Sequence, residues 1–318
     1  MKKKFVFAAF LLMAGFVFYS SCKKDDDDEP PIDDNNNNPV IVDTVRQNVL
    51  DDYNNLYLGS NVTSSGWTGN TSTCTAGTMS ADAIAKTLQR INFFRKEVGL
   101  NTDITFDATK NTKCQEAALM MDANNDLDHS PPASWSCYTT DGATAAGSSN
   151  LALGAHSSGA ITLYMQDPGS GNTACGHRRW ILYSRTKVLG VGSTSSANAL
   201  WVFGNSGNPL PSNMPEFIAW PPEGYVCAPL VFARWSLSVP GADFSTATVS
   251  MTDASGTTVP CTIVSSTDNG YGDNTIVWEP TGVNTSGSSD VTYHVNVNNV
   301  TVSSNTKNYS YDVVIIQP

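Results

Sequence analysis

The stretch that decides the fold is Cys175-Gly176-His177-Arg178-Arg179-Trp180-Ile181-Leu182, which runs on into Lys187-Val188-Leu189-Gly190-Val191-Gly192. It predicts a short helix over 177–182 followed by a strand over 187–192. A second segment, Leu127-Asp128-His129-Ser130-Pro131, ends a helical stretch earlier in the chain. The chain has 4 histidines, and two of them lie in these two segments. We therefore predict that His129 and His177 face each other in one cleft.

Helical periodicity surrounds these segments. Over residues 81–98 apolar side chains recur on one helical face, with Ser80 suited to the N-cap and Gly99 to the C′ position. A second helix is predicted over 108–123 with Asp107 as its cap, and a third over 159–167 that stops at Pro168. Strands are predicted over 187–192 and 199–203, paired across a turn. These elements predict an α+β domain over residues 80–205.

The composition changes near residue 210, where a loop over 204–211 is rich in Gly, Asn and Pro. Beyond it the chain is rich in Thr, Val, Ser and Asn and has no helical period. Strands are predicted over 230–238, 247–252, 258–264, 275–278, 291–297 and 309–316. This spacing favours an all-β, immunoglobulin-like sandwich over residues 216–318. The sequence of residues 216–318 shows no catalytic constellation. Residues 41–79, which precede the first domain, are interpreted as an N-terminal extension.

The N-terminus is typical of an exported lipoprotein. Residues 1–21 combine a lysine-rich start with a short apolar run, which predicts a signal peptide, and Cys22 is the predicted lipidation site. The acidic and Asn-rich residues 22–40 predict a solvated tether. Together they resemble surface-exported lipoproteins of Bacteroidetes-type bacteria, so we expect an outer-membrane lipoprotein held on the membrane by its lipid and exposed at the surface. The alternative is ordinary secretion, with Cys22 incidental.

Charge and cysteine content restrict the partners. The formal net charge is −11 and the folded part has no basic run, so nucleic acid is not expected as a partner. Apart from Cys22 the chain has six cysteines, and an even number in an exported protein suggests disulfides. We predict the pairs Cys74–Cys114, Cys137–Cys175 and Cys227–Cys261.

Taken in order, the motifs of the first domain resemble the CAP superfamily (cysteine-rich secretory, antigen 5 and pathogenesis-related-1 proteins) in its bacterial branch. The matching stretches are Arg90-Ile91-Asn92-Phe93-Phe94-Arg95 with Gly99-Leu100, then Ala117 to His129, Ser149-Asn150-Leu151-Ala152, Gly176 to Leu182 and Val188 to Gly192. The resemblance implies an α-β-α sandwich with a central cleft.

CAP clefts commonly hold two histidines and two acids. His129 and His177 match the histidines, and Asp167 best matches one acid, whereas Ser149 stands where the other is usual. Asn150 and Arg178, adjacent to these positions, complete the candidate binding residues. Two imidazoles and one carboxylate can hold a transition metal such as zinc, and can also serve acid–base catalysis. A third interpretation is that both histidines are hydrogen-bonded residues that shape the cleft.

The leading interpretation is a non-enzymatic surface protein that binds a ligand in the cleft or on the β-sandwich. The candidate ligands are small apolar molecules, glycans and host proteins. The alternative is a metal-assisted hydrolase of peptide or ester bonds that uses His129 and His177, and a third interpretation is a purely structural or adhesive display module. The serine at position 149 favours binding over catalysis, and no Gly-x-Ser-x-Gly elbow is present.

Overall fold

The computed structural model describes residues 45–318 except 268 and 269. The predicted signal peptide, the lipidation site Cys22 and the tether lie outside the described residues. Among the helices of the described part, none combines the length and apolar character needed to cross a membrane.

The helices lie mostly in the first half of the described chain. Helix α1 (Arg46–Asp52) continues as a π-helical turn (Tyr53–Tyr57) and a 3₁₀ turn (Leu58–Ser60). It is followed by α2 (Ala81–Glu97), α3 (Ala108–Asn124), α4 (Thr140–Ala146), α5 (Ser157–Gln166) and α6 (Gly176–Ile181). Short 3₁₀ turns occupy Ser170–Asn172 and Ala228–Leu230.

The predicted helix ends of α2 and α3 are confirmed by their caps. The Ser80 hydroxyl accepts a hydrogen bond from the Ala83 amide, and the Asp107 carboxylate accepts one from the Lys110 amide. Each bond satisfies an amide that has no partner within the helix. After α2, Gly99 has a φ of +70°, a conformation that glycine adopts without the steric cost of a Cβ.

A four-stranded sheet forms the centre of the first domain. Its strands are β1 (Thr105–Phe106), β2 (Ser149–Leu153), β3 (Val188–Ser193) and β4 (Ala197–Trp201). They lie in the order β1-β3-β4-β2, with β1 parallel to β3 and the other neighbours antiparallel. The predicted pairing of β3 with β4 is confirmed.

The two faces of this sheet carry separate apolar clusters. One face packs on α3 and α4, whose buried residues are small; Cys114, Ala117 and Ala118 are fully inaccessible to solvent. A Cβ on Gly192 would lie 2.2 Å from the backbone nitrogen of Gln115, so this glycine permits the close approach of α3 to β3. Leu189 and Val191, on the other face, join the core of α2 and α5. The expected α-β-α sandwich is therefore confirmed.

The C-terminal region is β-rich. It contains β5 (Ile218–Trp220), β6 (Gly224–Cys227), β7 (Trp235–Ser238), β8 (Ala242–Asp243), β9 (Thr248–Asp253), β10 (Thr258–Val259), β11 (Cys261–Ser265), β12 (Thr275–Pro280), β13 (Val291–Val302) and β14 (Asn305–Ile316). One sheet has the order β10-β9-β13-β14-β6, with β8 also on β13, and the other has the order β11-β12-β7-β5. The sheets face each other, because the Trp235 ring of the second contacts the Tyr293 ring of the first.

Two strand predictions in this region are wrong in their bounds. The strand predicted over 258–264 is divided at Pro260 into β10 and β11, which belong to different sheets. Proline has no amide hydrogen to donate to a ladder, so the chain changes sheet at this residue. The strand predicted over 230–238 begins only at Trp235, because Ala228–Leu230 form a 3₁₀ turn.

The disulfide predictions are also wrong. The structure pairs Cys74 with Cys137, with a Cα–Cα distance of 4.9 Å. Among the described cysteines, Cys114, Cys175, Cys227 and Cys261 carry free thiols. The predicted Cys137–Cys175 pair assumes that both cysteines accompany the cleft histidines. Cys175 is instead fully buried at the start of α6, and Cys137 reaches the loop that contains Cys74.

The helical and β-rich parts share one apolar core. The buried Trp220 ring of β5 packs edge-on against Phe94 of α2, with ring centroids 5.1 Å apart. Helix α1 is bound to the β-rich part by an ion pair between Arg46 and Asp290 at 2.8 Å. The predicted division into units at 80–205 and 216–318 stays a prediction, although residues 202–217 contain neither helix nor strand.

Candidate functional site

His129 and His177 line the same two adjoining cavities. The first has a volume of about 250 Å³ and the second about 340 Å³, and both histidines together with Asn172 belong to the walls of each. The other residues of the first cavity are Gly147, Ser149, Asn150, Gly171, Ala174, Gly176, Trp180, Val202, Phe203 and Tyr271. The other residues of the second are Leu127, Leu151, Ala152, Leu153, Leu163, Tyr164, Asp167 and Pro168. The predicted cleft therefore contains both histidines at the junction of two cavities.

His177 is held in position by Asp167. The Asp167 carboxylate, which is fully buried, accepts hydrogen bonds from the His177 backbone amide at 2.9 Å and from its Nδ1 at 2.8 Å. The Tyr164 ring stacks on the imidazole at a centroid distance of 5.5 Å. Because Nδ1 donates to the carboxylate, Nε2 is the nitrogen left for the cleft.

His129 is held by the end of a helix. Its Nδ1 lies 2.9 Å from the carbonyl oxygen of Ala146, the last residue of α4. A carbonyl can only accept, so Nδ1 carries the hydrogen and the neutral ring keeps a lone pair on Nε2. The bond also satisfies one of the carbonyls that a helix C-terminus leaves free. An Asx turn, in which Asp128 accepts from the Ser130 amide at 2.7 Å, shapes the chain around the histidine.

Tyr164 and Asn150 support His177. The Asn150 side-chain amide donates to the His177 carbonyl at 3.0 Å. The Tyr164 hydroxyl lies 2.8 Å from the Asn198 side-chain oxygen and 3.0 Å from the Asn150 carbonyl. Burial raises the pKa of Tyr164 well above its usual range, so its hydroxyl stays protonated and serves as a donor.

Ser149 lies in the first cavity, where the family pattern expects an acid. The residue is 5 % exposed, and its hydroxyl is 3.7 Å from the Cys114 sulfur. Burial raises the pKa of Cys114 to about 12, so this sulfur is a thiol and not a thiolate at neutral pH. In the described part of the chain, neither Ser149 nor any other hydroxyl or thiol forms a hydrogen bond to His129 or His177. No nucleophile–base pair is therefore assembled there.

The donor set does not fit the zinc site that the sequence suggests. Both Asp167 oxygens are already used by His177 donors, and the carboxylate is buried. Ser149 does not supply the second carboxylate. Two imidazole nitrogens remain, fewer than the three protein ligands of a typical zinc site. Among residues 45–318 without 268 and 269, no three His, Cys, Asp or Glu side chains are grouped so that they could hold a metal.

Comparison with known families gives one match. The model of the cysteine-rich secretory protein family, CAP, matches residues 88–204. The chain carries a CAP domain. The matched range includes α3, the central sheet and both cleft histidines. No curated protein matches the chain significantly.

Arg178, predicted as a cleft residue of the CAP domain, does not line either cavity. Its side chain is buried, and its Nε donates to the Met165 carbonyl at 2.7 Å. Its Nη1 donates to the Arg234 carbonyl at 2.9 Å and to the Ser236 hydroxyl at 3.1 Å. Arg178 therefore joins the CAP domain to β7 of the C-terminal region instead of binding a ligand.

Arg234, which sequence reasoning missed, supports the cleft from the C-terminal region. Its Nη1 donates to the carbonyls of Asp167 at 2.8 Å and Asn172 at 3.1 Å, and its Nη2 donates to that of Gly169 at 2.9 Å. Its Nε pairs with Glu279 at 2.9 Å. The segment 167–172 contributes to both cavities, so one arginine outside the CAP domain fixes a wall of the cleft.

Tyr271 is a second contribution from outside the CAP domain. It precedes β12 and lines the first cavity beside Gly176. A Cβ on Gly176 would lie 2.9 Å from the Tyr271 ring, so the glycine makes room for the aromatic side chain. A tyrosine in a loop between strands carries no sequence signal that places it in a cleft about a hundred residues earlier in the chain.

Proposed function

We propose that this protein is a non-enzymatic, lipid-anchored bacterial surface protein that binds a small uncharged ligand in the CAP cleft. The observation that carries the proposal is the fixed pair of imidazoles. Each Nδ1 is committed to a protein acceptor, Ala146 in one case and Asp167 in the other. Both rings are therefore pre-oriented, with Nε2 left for a hydrogen bond to a bound molecule.

The lining of the cavities supports an uncharged ligand. No Lys, Arg or Glu side chain lines either of them in the described part of the protein, and the one carboxylate, Asp167, is buried and bonded to His177. A charged ligand would lose its hydration without gaining a counter-ion. Apolar side chains with a few convergent polar groups are the usual composition of a small-molecule site.

The hydrolase alternative is supported less well. Hydrolysis by the two histidines needs an activated nucleophile, either a side chain or a metal-bound water. In the described residues neither imidazole is hydrogen-bonded to a nucleophilic side chain, and the donor set around them is two nitrogens. A pair of oriented imidazoles without these parts is better suited to binding.

The surface location rests on the sequence of residues 1–40. The signal segment, Cys22 and the acidic tether together support lipidation and display on the outer membrane. Metabolic labelling with a radioactive fatty acid tests this part. We expect label on the wild-type chain and none on Cys22→Ala, and labelling of both would reject Cys22 as the anchor.

The binding function is tested by the contents of the cleft. The native protein is purified, and bound molecules are released and identified by mass spectrometry, with metal analysis on the same sample. We expect a bound small molecule in the wild type and its loss in the His129→Ala/His177→Ala variant. His294→Ala is the matched control, because His294 is an exposed histidine of β13 paired with Asp312 and lies outside the cleft. Equal contents in all three proteins would contradict the proposal.

A further inference from the structure

Three aromatic side chains form one wall of the first cavity. Trp180 comes from α6, Phe203 from the loop that follows β4, and Tyr271 from the C-terminal region. The rings of Trp180 and Phe203 are 5.0 Å apart. Phe203 and Tyr271 are 44 % and 38 % exposed, although most of the large apolar residues in the described part of the chain are buried. We call Trp180, Phe203 and Tyr271 the aromatic wall. Exposed aromatic residues grouped around one cavity indicate a ligand surface.

The position of Tyr271 is fixed by the segment that follows it. The Asp273 carboxylate, which is buried, accepts hydrogen bonds from the Ser184 amide at 2.8 Å and from the Ser184 hydroxyl at 3.0 Å. Gly272, at a φ of +46°, packs so closely that a Cβ would lie 2.7 Å from the Arg179 carbonyl oxygen. The Arg179 guanidinium lies 5.5 Å from the centroid of the Tyr271 ring. The C-terminal region thus holds this ring against the CAP domain.

Uncharged polar side chains line another part of the same cavity. Ser149, Asn150 and Asn172 line it together with the two histidines. The two imidazoles offer Nε2, whereas the side-chain amides of Asn150 and Asn172 already donate to the carbonyls of His177 and Pro168 and offer their oxygens. A ligand that satisfies both surfaces needs a flat apolar face for the aromatic wall and hydrogen-bonding groups at its edge.

The size of the cavity restricts the ligand further. Without the adjoining second cavity, its volume of about 250 Å³ is below the range of roughly 300–1,000 Å³ that is usual for drug-sized molecules. A single ring fits this volume better than an extended chain. A purely apolar ring would leave the Nε2 atoms of the two histidines without partners, and an acidic or basic ring would find no opposite charge.

We propose that the first cavity binds a single uncharged sugar ring, whose C–H face stacks on the aromatic wall and whose hydroxyls bond to the polar side. This inference rests on the proposed binding function and makes it specific. It also assigns Tyr271 as a specificity-determining residue supplied by the C-terminal region, outside the matched CAP range.

The experiment uses the mature chain with Cys22→Ser, which removes the lipid and leaves the rest intact. Methyl glycosides of glucose, galactose, mannose and N-acetylglucosamine are titrated by calorimetry and by saturation-transfer NMR. Cyclohexylmethanol serves as the apolar ring and glucuronic acid as the charged ring. We expect at least one methyl glycoside to bind, with both comparison rings weaker.

Variants of Tyr271 test whether its ring contacts the bound glycoside. Tyr271→Ala should weaken binding of the glycoside roughly tenfold through lost stacking, whereas Tyr271→Phe, which keeps the ring, should stay within about twofold. Tyr138→Ala is the control, since Tyr138 lines neither cavity. Circular dichroism of each variant shows whether the fold is retained.

Each contrary outcome would overturn a defined part of the sugar-binding proposal. Binding of cyclohexylmethanol without any glycoside would overturn the sugar class and leave a ligand-binding cleft. Binding of a glycoside that Tyr271→Ala does not weaken would overturn the aromatic wall. Failure of every probe would overturn the sugar proposal, while the molecules extracted from the native protein decide the proposed function independently.

Discussion

Replacing Arg234 with methionine tests whether the C-terminal region builds the cleft. The guanidinium donates three hydrogen bonds to backbone carbonyls of segment 167–172, and the side chain is 10 % exposed. Methionine keeps most of the side-chain length and removes all three bonds together with the pair to Glu279. The substitution therefore isolates the polar contribution.

The expected loss follows from the burial of these bonds. A hydrogen bond to a charged group contributes about 1.5–3 kcal/mol, and the three share one side chain, so they do not add fully. The pair with Glu279, which is 44 % exposed, adds less than about 1 kcal/mol. We expect Arg234→Met to lower the free energy of unfolding by about 3–5 kcal/mol. Arg46→Met is the control, because its ion pair with Asp290 is exposed to solvent and is therefore expected to contribute little to stability.

Two measurements check this expectation. Urea unfolding gives the loss of stability, and hydrogen exchange followed residue by residue gives its location. The backbone amide of His177 donates to Asp167, whose own carbonyl is held by Arg234. We therefore expect faster exchange at this amide in Arg234→Met and no change there in Arg46→Met. Equal destabilisation by the two substitutions, with unchanged exchange at His177, would refute the role assigned to Arg234.

Three further outcomes are expected. Removing the disulfide with Cys74→Ser/Cys137→Ser should cost up to about 4 kcal/mol, given the separation of 63 residues, and peptide mapping of the oxidised wild type should recover this pair and not Cys137–Cys175. Native protein at pH 8 should resist alkylation at Cys114, since burial raises the pKa of its thiol to about 12, and should react there after unfolding; fast native labelling would argue against that burial. Burial lowers the pKa of His156 below 6.5, so the unfolded chain binds a proton at this histidine more readily than the folded protein does. We therefore expect the free energy of unfolding to fall as the pH drops below about 6.5. His156→Gln should show a weaker fall over that range in thermal unfolding, and identical pH slopes would contradict this prediction.

The local part of the fold is predictable from the sequence because its signals are local. A side-chain oxygen placed before an apolar period predicts Ser80 and Asp107 as caps, and both form the expected bonds. Pro168 is expected to end the helix predicted over 159–167, and this helix, α5, ends at Gln166. The histidine pair is predictable because the motifs around His129 and His177 resemble a known family.

The errors at Arg178 and at the cysteines have a common physical cause, since both depend on contacts between distant parts of the chain. The neighbours of Arg178 in sequence place it in the cleft, but one turn of α6 directs it to carbonyls 13 and 56 residues away. The predicted cysteine pairs depend on proximity to other motifs, whereas pairing depends on Cα distances that no spacing encodes. Short strands such as β2, which contains Ser149, have too few residues for a periodic signal.

The composition of the cleft explains why the family match restricts the function only in part. The matched range, residues 88–204, contains the two histidines, Asp167 and two members of the aromatic wall. Arg234 and Tyr271 lie outside it, yet one holds segment 167–172 and the other lines the first cavity. A CAP domain joined to a different C-terminal region would keep the imidazole pair and lose these two contributions. The proposed ligand site therefore includes residues of both parts, and experiments on its specificity need the chain through β12.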